Sequence, residues 1–200
     1  MIIKRFASLR KTEQCGFSLL EVMFAMIILA VGMLATLASL GITIGANETS
    51  QEDMIARQLA SEAMESIFNA RNSSQLGFSA INNVGVGAGI FLATAQSPKC
   101  PGPDGILGTA DDAGCTAANG QLCPIECLSE PGPDGIVGNA DDVNLPLTNF
   151  TRTIAITQLL DGSGNTIPTL VQVTITVNYT VPNHGGTKSY VLDEYISSYH

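Results

Sequence analysis

Two twelve-residue segments concentrate the acidic chemistry of this 200-residue chain. Residues 101–112 read Pro-Gly-Pro-Asp-Gly-Ile-Leu-Gly-Thr-Ala-Asp-Asp and residues 131–142 read Pro-Gly-Pro-Asp-Gly-Ile-Val-Gly-Asn-Ala-Asp-Asp, ten of twelve positions matching at an offset of thirty. Asp104, Asp111 and Asp112 stand in the first copy and Asp134, Asp141 and Asp142 in the second, with no basic residue inside either. Glycines on both sides of the central apolar pair let the backbone turn tightly enough to gather separated oxygens. Hard oxygen donors on a tight loop suit Ca²⁺, so the six aspartates are candidate ligands and Ca²⁺ the candidate cofactor. The spacing is not that of an EF-hand, which needs alternating donors before its glycine and a glutamate after it. The competing reading is a duplicated Pro-Asp-Gly turn whose acids are simply solvated.

Four cysteines, Cys100, Cys115, Cys123 and Cys127, border or separate these copies. Their spacings offer one pair close enough for a zinc knuckle, whereas an even count in an exported segment reads as two disulfides. Three pairings satisfy the sequence equally. No organic cofactor is implied: there is no phosphate-cradling glycine motif, no serine elbow and no zinc-hydrolase helix. His184 lies in a glycine turn and His200 ends the sequence, neither with neighbours that make a triad. The expectation is a protein that is not an enzyme.

The third chemical feature is a single carboxylate at the head of an apolar run. Lys4, Arg5, Arg10 and Lys11 precede Gly16-Phe17-Ser18-Leu19-Leu20-Glu21, and no charged residue occurs from Val22 to Leu40. A basic flank followed by about 20 apolar residues predicts a membrane helix with its amino end in the cytoplasm. Glu21 at that depth costs about 2.5–3.5 kcal/mol, so it needs a partner or a role. An ordinary secretory signal has a shorter apolar core. A plain membrane anchor would leave the glutamate without a purpose.

Gly16, Phe17 and Glu21 together resemble the processing site of class III signal peptides, those of type IV pilins and type II secretion pseudopilins. The resemblance implies that a prepilin peptidase cuts between Gly16 and Phe17 and methylates the new amino terminus. It also implies that Glu21 pairs with the amino group of Phe17 on a neighbouring subunit during assembly. Two charges in an apolar filament core are tolerable only when paired. Cys15 would leave with the leader.

Removing residues 1–16 leaves five Lys and Arg against seventeen acids, a net charge of −12. Such a chain repels phosphate backbones, and nucleic-acid binding by this subunit alone is not expected.

The elements that must carry these groups are legible in hydrophobic periodicity. No proline occurs between Phe17 and Ser97. Ile55, Ala56, Leu59, Ala60, Ala63, Met64, Ile67 and Phe68 recur at helical spacing, with Glu52, Asp53, Arg57, Glu62 and Glu65 between them. One helix is predicted from about Phe17 to about Ala70, its stripe facing a head domain, with Asn72-Ser73-Ser74 ending it. Residues 76–96 read as a loop or a loose strand pair. Val171, Val173, Ile175, Val177, Tyr179 and Val181 alternate with polar residues, which predicts a half-buried strand. Phe150 to Leu160 and Thr187 to Ile196 read as its neighbours in an antiparallel meander.

The expected organisation is a leader at 1–16, the membrane and assembly half of the helix at 17–41, and its amphipathic half at 42–72. A loop-rich, disulfide-bonded insert at 73–148 and a β-sheet at 149–200 follow. This is an α+β chain of the type IV pilin-like kind, a long N-terminal helix packed on a C-terminal antiparallel meander. The order of elements, with Phe150-Thr-Arg-Thr-Ile154 and the close from Tyr190 to Ile196, is similar to minor pilins of the type IV pilus modification protein kind. The insert lies outside that resemblance, and with its low apolar content it is expected to depend on its bridges. A minor filament subunit is therefore expected, with a type II secretion minor pseudopilin as one alternative. A membrane-anchored calcium-binding or adhesive module that does not polymerise is the other. The implied partners are other pilin or pseudopilin subunits, the prepilin peptidase, an inner-membrane assembly platform and, before assembly, lipid. The implied location is the inner membrane, then a periplasm-spanning or cell-surface filament.

Overall fold

A computed structural model of the chain describes residue 16, residues 18–181 and residues 186–199. The leader, Phe17, His184 and His200 lie outside these, so the expectations placed on them stand as sequence readings. The fold is α+β, as the periodicities predict. Helix α1 spans Leu19–Asn72, 54 residues without a break. The chain divides into two compact units, one ending at Ile44 and one beginning at Gly45.

In the first unit the helix is apolar on all sides and covered by nothing. Its most apolar 18-residue window has a mean hydropathy of 2.4, none of it is buried, and it is long enough to cross a membrane. Leu34 and Ile42, for instance, are 67% and 76% exposed. Large apolar patches of this kind mark surfaces meant for lipid or other protein.

The second unit has a core built from the helix stripe and the sheet. Ala56, Leu59, Ala60, Ala63, Met64, Ile67 and Ala70 are buried at helical spacing. They share one cluster with Phe150, Ile154 and Ile156, with the alternate residues Val171, Val173, Ile175, Val177 and Tyr179, and with Ile196. The helix ends where expected: Ser73 donates its N–H and its hydroxyl to the Asn69 carbonyl, and Ser74 turns to φ 60°.

The insert contains two small antiparallel ribbons. Strands β1 (Cys115–Thr116) and β2 (Leu122–Cys123) form one, β3 (Cys127–Glu130) and β4 (Val143–Pro146) the other. The C-terminal sheet follows with β5 (Phe150–Leu160), β6 (Thr166–Thr180) and β7 (Thr187–Ser197), all antiparallel in the order β5-β6-β7. Ile154 faces Ile175, which faces Leu192, so the inward residues of three strands fall in register. Strand β6 is longer than the alternation of 171–181 predicted, starting five residues earlier. Those extra residues pair with the neighbouring strands and are less buried.

Residues 76–96 are loop apart from a 3₁₀ turn at Phe78–Ala80, with isolated bridges from Asn83 to Phe91 and from Gln96 to Arg152. Yet Ile81 and Phe91 are fully buried, and Asn83 donates to the Ile154 carbonyl (2.8 Å) while accepting from the Ile156 N–H (2.8 Å). The segment therefore seals the β5 edge. The insert also does not depend on its bridges alone, because Ile106 and Leu107 of the first aspartate loop enter the core at 3% and 2% exposure. Their apolar burial is worth roughly 1.5–3 kcal/mol each.

Candidate functional site

The helix start, the two aspartate loops and a buried charge cluster are the places where chemistry-bearing side chains gather. At the helix start, Glu21 donates its N–H to the Ser18 carbonyl (3.0 Å), as does Val22 (3.2 Å), so the carboxylate sits in the first turn. A negative charge there is favoured by the helix dipole. Glu21 shares one flank with Val22, Ala25, Met26 and Leu29, a shallow apolar surface with one anionic end. Among the described residues it makes no ion pair.

The aspartate loops fold alike. Gly105 donates to the Gly102 carbonyl and Gly135 to the Gly132 carbonyl, each at 3.0 Å. Asp104 Oδ1 accepts from Ile106 N–H (2.8 Å) and Asp134 Oδ1 from Ile136 N–H (2.9 Å). Asp112 Oδ2 accepts from Gly108 N–H (2.7 Å), Asp142 Oδ2 from Gly138 N–H (2.6 Å). Asp111 and Asp141 lie against Gly102 and Gly132, where a Cβ would fall 2.5 and 2.3 Å from the carboxylate oxygen. Both glycines are thus required by contact. Sequence duplication is here a duplication of structure.

The copies differ in what surrounds them. In the first, Thr109 is buried and its hydroxyl donates to Asp111 Oδ1 (2.6 Å), a bond that holds the Asp111 carboxyl below its usual range. Leu107 N–H donates to Ser66 Oγ (2.9 Å), tying the loop to the helix. In the second copy Asn139 replaces Thr109 and donates its amide to Asp134 Oδ2 (2.6 Å). Its apolar pair, Ile136 and Val137, is 63% and 51% exposed. Among the described residues no three acidic, histidine or cysteine side chains form a ready-made metal cluster.

The cysteines pair Cys100–Cys115 and Cys123–Cys127, resolving the three combinations the sequence allows. The first bridge closes the loop that holds the first aspartate copy, and the second ties β2 to β3.

The charge cluster was not anticipated as a site. Arg152, on the inward face of β5, is 6% exposed and donates to the Leu59 carbonyl of the helix (3.3 Å). Burial depresses its pKa, while Glu126, Glu62 and Asp112 oppose that shift. Burial pushes Glu126 up to about 7, Glu62 adds to the rise, and Arg152 works against it. Burial likewise raises Asp112, against the Gly108 N–H and Arg152. Glu62 of the helix, Asp112 of the first aspartate loop and Glu126 of the β2–β3 link thus all act on the Arg152 guanidinium through space, none of them in an ion pair with it, and among the described residues Glu62 Oε2 is buried without a hydrogen-bond partner. The signal in sequence was an arginine at an inward position of the Phe150-Thr-Arg-Thr-Ile154 alternation. Its carboxylate partners are far away along the chain and left no pattern.

A helix with a carboxylate in its first turn and an uncovered apolar body behind it suits insertion into lipid or between other helices. The family model described as the prokaryotic N-terminal methylation motif matches residues 11–37. Over that stretch the chain is similar to prepilins of the type IV pilin and pseudopilin class, which are processed by prepilin peptidase and anchor in the membrane before assembling with other subunits. No curated protein and no solved structure matches the chain.

Proposed function

We propose that this chain is a minor structural subunit of a type IV pilus or pilus-like filament, cut between Gly16 and Phe17 and N-methylated at Phe17. The observation that carries the reading is the coincidence of the methylation motif at 11–37 with a helix whose apolar half is left exposed by the described residues. In the membrane that half is satisfied by lipid, and in a filament by other helices. Glu21 sets the register by pairing with the methylated amine of Phe17 on the adjacent subunit, since one buried carboxylate is costly and a buried pair is tolerable. The head, with its ribbons and acidic loops, is the part displayed. Its two disulfides fit an oxidising location outside the cytoplasm. Display of so long a loop insert favours a surface filament over a short periplasmic rod.

The test is intact mass with N-terminal fragmentation of the protein from sheared surface filaments. A chain starting at methylated Phe17 and lighter by four hydrogens for two disulfides is expected. A chain that retains Met1, or one starting after Leu40, would refute the proposal. Glu21→Ala is expected to insert into the membrane normally and to be lost from filaments. Unchanged incorporation would reduce the helix to an anchor.

A further inference from the structure

We propose that the second aspartate loop, residues 131–142, is a Ca²⁺ site, and that the first loop, despite its near-identical sequence, is not. Acidity alone does not single out the second copy, because both have three aspartates. What separates them is Asp142. It is 8% exposed, its carboxylate is folded into the loop with Oδ2 accepting from Gly138 N–H (2.6 Å) and Asn139 N–H (3.2 Å), and its Oδ1 is buried with no hydrogen-bond partner among the described residues. A buried carboxylate oxygen without a partner is expensive unless a cation meets it. Among the described residues none does: residues 73–148 contain a single basic residue, Lys99, and the one ion pair there is Lys188 with Asp53, outside the insert.

The donors around the Asp142 carboxylate are hard oxygens, which select Ca²⁺ over softer metals. Asp134 Oδ2 and Asp142 Oδ2 both reach Asn139, the first through its side-chain amide and the second through its backbone N–H. A cation entering between the two carboxylates displaces the Asn139 NH₂ from Asp134, and the side-chain oxygen of Asn139 becomes a further donor. The loop is free to make this adjustment because Ile136 and Val137 are exposed. The first loop is not. Its Ile106 and Leu107 are locked in the core, Thr109 takes the place of the amide, and Asp112 already faces Arg152.

The test uses the full chain in detergent micelles, stripped with chelator and desalted, with Ca²⁺ binding measured by equilibrium dialysis against ⁴⁵Ca²⁺ in 0.15 M NaCl. One Ca²⁺ per chain is expected, in the range of extracellular modules, about 10⁻⁴–10⁻³ M. Asp142→Asn is expected to abolish binding, and Asp112→Asn to leave it unchanged. Because Asp142 is buried, Asp134→Asn provides a second variant at an exposed position, with affinity expected to fall at least about tenfold by loss of one charged donor. No binding up to about 5 mM, binding that survives both Asp142→Asn and Asp134→Asn, or two ions of which Asp112→Asn removes one would each overturn the proposal. The measurement needs no filament, so its outcome is independent of the assembly reading.

Discussion

Glu126 makes the stability of the head depend on pH in the direction opposite to that of a salt-bridged acid. Burial and the nearby Glu62 raise its pKa from 4.5 to about 7 in the folded chain, so folding takes up a proton between these values. The folded state binds more protons than the unfolded one there, and stability therefore falls as pH rises. The contribution is complete below about pH 4.5 and gone above about pH 7. Unscreened, the rise from 4.5 to about 7 is worth roughly 3 kcal/mol. Glu126 is only half-buried, and solvent screening reduces this to roughly 1–2 kcal/mol. Glu126→Gln keeps the shape and removes the titration. Urea unfolding of the full chain in detergent, with chelator present, reports on the head through its tyrosines, all four of which lie at or after residue 179. The wild-type protein should lose roughly 1–2 kcal/mol more than Glu126→Gln between pH 5 and pH 8, and the variant should be the more stable of the two at pH 8. Parallel pH profiles for the two proteins would refute the account of the cluster.

Arg152→Leu removes the hydrogen bond to the Leu59 carbonyl and the positive field that Glu62, Glu126 and Asp112 feel, and is expected to destabilise the head by about 1–3 kcal/mol at pH 7.5. Combining it with Glu126→Gln should recover part of that loss, as a shift in the same urea midpoint. The disulfides should differ in weight: replacing Cys100 and Cys115 by serine opens a separation of 15 residues and should cost about 3 kcal/mol, while replacing Cys123 and Cys127 opens one of 4 and should cost about 2 kcal/mol, by thermal melting without reductant.

What the sequence revealed followed the range of the signal. Helix α1 and the meander rest on local periodicities, and the positions expected to face the core, such as Ala56, Leu59, Ile67, Val173 and Ile175, do so. Asn72-Ser73-Ser74 ended the helix because local hydrogen bonds decide such an end. Phe91 and Ile81 were hidden in a glycine-rich stretch with no period, since their burial comes from sealing a sheet edge more than sixty residues away. The same holds for the charge cluster. The alternation of β5 turns Arg152 inward, but Glu62 and Glu126 come near it only through tertiary packing. The repeat was plain in sequence, whereas the difference in fate between its copies was not: Ile106-Leu107 and Ile136-Val137 are nearly the same two residues. Which pair is buried depends on whether Ser66 and Ile154 lie opposite.

The unequal fate of the two copies also determines where the chain tolerates change. A peptide spliced between Ile106 and Leu107 would pry the helix from the sheet and cost the fold, because that loop serves as a wedge in the interior. The same peptide between Ile136 and Val137 would ride on an outward tip whose apolar pair supports nothing. For epitope display or for labelling the head with a fluorophore, the second copy is the natural handle and the first the one to leave untouched.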